Sequence, residues 1–154
     1  MIVEMSEKHR SFAILTACVV ATLALWFSTT AVVPSLVRAY DLSPERISMF
    51  TSAVQMGFVC GTIVSAFLGL ADRLDPRRFF MVSALIAAGS NGTLLFLHPT
   101  SDWVLACRFV TGACMAGVYP VSMKIAAAWA DDDLGLLVGT LVGALTLGSA
   151  APHL

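Results

Sequence analysis

The chain has 154 residues, of which 58% are hydrophobic and only 12% charged, and its formal net charge is −1. Ordinary soluble domains carry about 25% charged residues, so this composition excludes a soluble globular domain and indicates an integral membrane protein. A near-neutral charge balance also gives no electrostatic basis for a nucleic-acid partner.

The polar start, residues 1–11, carries Lys8 and Arg10 together with Glu4 and Glu7. No small-residue cleavage site follows its first apolar stretch, so it reads as a short N-terminal segment before a retained span and not as a signal peptide. Five apolar segments then follow at 12–37, 47–71, 79–97, 103–130 and 134–154. About 20 residues at 1.5 Å rise cross a 30 Å hydrocarbon core, so each segment is long enough to span. Backbone groups in lipid must be satisfied internally, which makes the spans helices. The expected fold is therefore an all-α integral membrane bundle of five transmembrane helices, residues 12–154, with the bilayer as its surroundings.

In the first segment Thr22, Trp26, Thr29 and Thr30 share a face ending near Pro34. They would line a cavity, or the threonines would bond back to their own helix while the tryptophan simply packs. In the second segment small residues recur every fourth position at Ala53, Gly57, Gly61, Ser65 and Gly69, one stripe of a helix. The fifth repeats the device with Gly135, Gly139 and Gly143. Such stripes admit close backbone approach, either for packing within the bundle or as faces that slide against a partner bundle.

Between the second and third segments stand Asp72, Arg73, Asp75, Arg77 and Arg78, a charge cluster that must lie at a membrane face. A cytoplasmic N-terminus puts Lys8, Arg10, Arg73, Arg77, Arg78 and Lys124 at or near the inner face and Arg38 and Arg46 outside, a positive-inside bias. The fourth segment holds Arg108, the one basic residue placed well within a span, on a polar stripe with Thr111, Gly112, Met115, Tyr119 and Ser122. An intramembrane charge faces a cavity or a partner, or else snorkels to the headgroups. The four cysteines lie in apolar stretches without ligand spacing and read as small core hydrophobes. No metal or cofactor is expected. Neither HExxH nor GxSxG occurs, and His9, His98 and His153 fall near segment ends, so an enzyme is not expected.

Leu70-Ala71-Asp72-Arg73 and the pair Arg77-Arg78 resemble the loop between helices two and three of the major facilitator superfamily, G-x-L-A-D-R-x-G-R-R/K. Here the leading glycine is displaced to Gly69, and Asp75-Pro76 replaces the second glycine with one residue extra. Arg108 with Gly112, Ala113 and Ala116 is similar to the R-x-x-x-G pattern of the family's fourth helix, and Tyr119-Pro120 and Trp129 also look familiar. The arginine that often opens helix five is replaced by Leu134. The resemblance implies secondary transport of a small solute by alternating access, with helices one and four lining a central site and helices two and five facing the other half. It would give Trp26, Thr29, Thr30, Arg108, Thr111, Gly112, Met115 and Tyr119 cavity roles. Gly69, Asp72, Arg73, Arg77 and Arg78 would form a cytoplasmic gate.

On this reading the chain is the front portion, about helices one to five of twelve, of a multi-pass cell-membrane transporter. Its partners would be the missing C-terminal half and a small-molecule substrate, and it would not transport alone. The alternative is a small membrane scaffold or assembly subunit that binds other helices through its glycine stripes.

Overall fold

The structure, a computed structural model, describes residues 2–153; the expected ends at Met1 and Leu154 lie outside the described residues. Every element is helical. α1 runs Ile2–Tyr40, α2 Pro44–Leu68, α3 Leu70–Arg73, α4 Pro76–Thr93, α5 Asp102–Met115, α6 Tyr119–Trp129 and α7 Leu134–Ala150. Short 3-10 turns follow α4 (Leu94–Phe96) and α7 (Ala151–His153). Four helical stretches are long and apolar enough to cross a membrane: Glu7–Tyr40, Pro44–Leu68, Pro76–Phe96 and Asp102–Trp129. The fifth, α7, is a shorter apolar helix of 17 residues.

Local chemistry sets the boundaries. α2 begins with Pro44 at its first turn, where a missing N–H is harmless, behind Ser43, whose hydroxyl accepts from the Arg46 N–H at 3.3 Å. Asp75 and Pro76 repeat the device at α4, with Asp75 Oδ1 accepting from the Arg78 N–H at 2.9 Å. α2 stops at Gly69, which takes φ 62, the left-handed conformation that glycine adopts without a Cβ penalty.

Three features differ from the sequence expectation. α1 starts at Ile2, not at residue 12, because nothing in the polar start breaks a helix and Lys8 is tied to Asp131 and Asp133 at 3.0 and 3.1 Å. The loop after α2 contains the single helical turn α3. The fourth span is two helices: Ala116, Gly117 and Val118 each donate a backbone bond three residues back, and Pro120, lacking an N–H, stands in the first turn of α6.

α2 lies along α5, α1 along α7, and α4 along α5 and α6. The principal core joins Val19 and Leu23 of α1, Phe80 and Ala87 of α4, Met115, Val121 and Ala126 of the fourth span, and Leu141 and Ala144 of α7. Phe67, Leu95 and Phe96 point outward, 85 to 88% exposed, as suits a surface solvated by lipid. Cys18 and Cys60 are also exposed and all four cysteines are unpaired. The expectation that these two are core residues is corrected: both are exposed in this chain, Cys18 along a groove that Phe80 also lines.

Candidate functional site

Arg108 is 1% exposed although it carries a full charge inside a span. Its Nη1 donates to the Leu25 carbonyl at 3.1 Å and to Asn91 Oδ1 at 3.4 Å, and its Nη2 donates to the Trp26 carbonyl at 2.5 Å. Ser28 lies in the same cluster, its hydroxyl 2.9 Å from the Leu25 carbonyl and 3.1 Å from Asn91 Oδ1. A helical carbonyl keeps a second lone pair after its ladder bond, so α1 can accept the guanidinium without breaking. All these partners are neutral, and Nε has no partner among the described residues. Arg108 thus braces α1 against α4 and α5 at the level of Leu25 and Trp26.

The Trp26 side chain lines a cavity of about 380 Å³ together with Leu23, Phe27, Gln55, Phe58, Met115, Tyr119 and Leu145. Four long elements meet there: α1, α2, the two-part fourth span and α7. The Trp26 and Phe58 rings pack edge to face, centroids 5.3 Å apart. Of the cavity residues expected from sequence, Trp26, Met115 and Tyr119 are in this lining; the others are elsewhere. Arg108 points into the α1–α4–α5 junction. Thr30 bonds back to the Phe27 carbonyl at 2.6 Å and Thr111 to the Cys107 carbonyl at 2.9 Å. Thr29 is buried, and Gly112 faces the Val54 backbone.

Sequence reasoning missed Gln55, Phe58 and Asn91. The available signal was polarity: Gln55 and Asn91 are side-chain amides inside otherwise apolar spans, and such groups face protein or a cavity in preference to lipid.

The glycine stripes part company. A Cβ on Gly57 or Gly61 would overlap the backbone of α5 at Phe109 or Ala113, so the α2 stripe is occupied within this chain, with Ser65 half-buried beyond it. Gly135, Gly139 and Gly143 have nothing within 4 Å of a built Cβ; α7 approaches α1 through Gly148 instead.

At the end of the bundle bearing the 69–78 turn, Lys124 Nζ donates to Asp72 Oδ1 and to the Ala71 carbonyl, both at 2.6 Å. The guanidinium of Arg77 stands over the Trp129 ring at 5.6 Å, and Arg73 and Arg78 are exposed. The Lys124 hydrogen bond, and then its charge, holds the Asp72 carboxyl below its ordinary value of 3.8; the Lys8 hydrogen bond does the same for Asp133. Depressed carboxylate values mean that both ties are present above pH 3.8 and are lost as pH falls through the lowered folded values. Because the Asp72–Lys124 pair is exposed, Asp72→Asn should leave thermal unfolding unchanged. It should speed tryptic cleavage after Arg73, since the turn loses its tie to α6; a cleavage rate equal to wild type would refute this. Among the described residues no group of three His, Cys, Asp or Glu side chains could hold a metal ion.

Comparison with known proteins gives a family and several relatives. The model of the Major Facilitator Superfamily matches residues 14–151. The niacin transporter NiaP of Acinetobacter baylyi is 29% identical over 94 residues, covering 61% of this chain and 21% of that protein. The gentisate transporter of Corynebacterium glutamicum is 33% identical over 122 residues, 79% of this chain and 26% of the relative. The inner membrane metabolite transport protein YdjE of Escherichia coli is 28% identical over 113 residues, 73% and 24% respectively. The chain therefore spans about a quarter of the length of these relatives. No solved structure matches it significantly.

Proposed function

Since this chain belongs to the major facilitator superfamily, we propose that it forms part of a multi-pass transporter that carries a small ring-bearing solute across the cell membrane by alternating access. The observation that carries this reading is the cavity where α1, α2, the fourth span and α7 meet, walled by Trp26, Phe27, Phe58 and Tyr119. Aromatic walls favour a planar ring through stacking and edge contacts. Two relatives bear the names of niacin and gentisate transporters, and both of those solutes are aromatic carboxylates. Arg108 supports the site from behind, holding the backbone that presents Trp26.

The N-terminus is assigned to the cytoplasm. Lys8, Arg73, Arg77, Arg78 and Lys124 share one end of the bundle, and Arg46 stands at the other. The Asp72–Lys124 turn then serves as a cytoplasmic gate element that pairs and unpairs as the halves rock. Relatives about four times longer are consistent with further helices completing the path. This chain is one portion of such a transporter and does not transport alone.

The test is uptake of radiolabelled nicotinate, gentisate and benzoate by cells with the native locus intact, deleted or restored. Deletion should abolish saturable uptake of at least one of the three and restoration should recover it, whereas unchanged uptake of all three would overturn the ring-solute reading.

A further inference from the structure

Gln55 sits midway along the 25-residue α2 and contributes the one carboxamide in a cavity whose other walls are aromatic or aliphatic. Gln55 is exposed and makes no hydrogen bond to any other described residue. Two further features decide what such a group can recognise. No Lys, Arg or His lines the cavity, so an ion pair with a carboxylate cannot form there within this chain. The Tyr119 hydroxyl and the Trp26 indole N–H, the other polar groups in the lining, likewise lack a partner among the described residues.

We infer that Gln55 is a specificity-determining residue that selects ring solutes bearing a hydroxyl group. An amide presents two N–H donors and a carbonyl acceptor side by side, and a hydroxyl needs one of each. A carboxylate offers acceptors only, so it engages the amide N–H groups alone, leaves the amide carbonyl without a donor, and finds no cation in the lining to meet its charge. The amide therefore discriminates on the hydroxyl and leaves the charge of the solute to be met elsewhere. A wall that hydrogen-bonds the hydroxyl favours the solute that carries it over the analogue that does not, by about the net worth of one such bond.

This inference rests on the ring-solute reading above, and one experiment separates the two. The full chain, with Trp103→Phe and Trp129→Phe so that Trp26 is the only tryptophan left of three, is reconstituted in lipid nanodiscs. Benzoate and 3-hydroxybenzoate, which differ by one hydroxyl, are titrated and the quenching of Trp26 is followed. The hydroxylated probe should bind about ten-fold more tightly, the worth of one well-made hydrogen bond. Gln55→Leu and Gln55→Met should each bring that ratio close to one, and circular dichroism should show both folded. An unchanged ratio in a folded variant of either kind would overturn the role of Gln55 while leaving the aromatic site intact. Absence of saturable quenching by both probes in the unsubstituted chain would overturn the ring-binding site itself.

Discussion

Gly112→Ala is expected to destabilise the chain by about 3 kcal/mol, the upper end for overpacking a tight interior, seen as a large drop in the thermal unfolding midpoint in nanodiscs. A Cβ at this position would overlap the carbonyl oxygen of Val54 and lie 3.0 Å from the amide nitrogen of Phe58, both of them backbone atoms of α2. Backbone cannot rotate aside as a flexible side chain would, so the two helices must part along their length. Gly57 faces Phe109 of α5 in the same tight way, so the two glycines interleave one interface from opposite sides. Gly139→Ala supplies the control. With nothing within 4 Å of its Cβ, that substitution should be neutral or stabilise by about 0.5 to 1 kcal/mol, the helix-interior difference between glycine and alanine. Equal midpoints for Gly112→Ala and the unsubstituted chain would show that α2 and α5 do not meet this closely.

The second large effect belongs to Arg108, where alanine and methionine should give different answers. Arg108→Ala removes the brace and leaves a void beside Leu25 and Asn91, and about 3 to 5 kcal/mol of stability should be lost. Arg108→Met fills most of that volume with an apolar stem and spares the chain a buried charge. Its neutral former partners keep other bonds, the carbonyls in the α1 ladder and Asn91 with Ser28. Apolar replacement of buried ions is often neutral, so the midpoint of this variant should stay within about 1 kcal/mol of wild type. Both variants should weaken quenching of Trp26 by 3-hydroxybenzoate at least ten-fold, because the backbone presenting Trp26 is no longer held. Normal ring binding in the methionine variant would mean that Arg108 serves packing alone.

Much of the architecture is legible in composition and punctuation. Apolar runs bounded by charges locate the membrane-crossing helices, and the pairs Ser43-Pro44 and Asp75-Pro76 stand where two of them begin. What a single chain conceals is the direction each helix face takes. Phe58 lines the cavity and Phe67 is 87% exposed, yet both are aromatic residues of one apolar helix, and periodicity assigns neither to an inside because the surroundings of a membrane bundle are apolar too. The two glycine stripes look alike for the same reason, although one is buried and the other bare. Arg108 is conspicuous as a charge in a span, but its contacts are with residues 17 to 83 positions away, and only tertiary packing turns it toward α1. Lys124 is hidden in a similar way, 52 residues from Asp72. The bend at Ala116–Val118 had local signals in Gly117 and Pro120, which a purely hydropathic reading of a continuous apolar run passes over.

The placement of charge carries a consequence for ionic strength. Asp72, Asp102 and Asp131 are 82 to 93% exposed, and their partnerships with Lys124, Arg46 and Lys8 sit at the two rims of the bundle. Mobile ions reach such pairs freely, and the screening distance falls from about 8 Å under physiological conditions to about 3 Å in molar salt. No electrolyte reaches the guanidinium of Arg108, which is held by uncharged dipoles in a dry interior. Concentrated brine should therefore slacken the turns at both rims while the helical interior between them stays deaf to it.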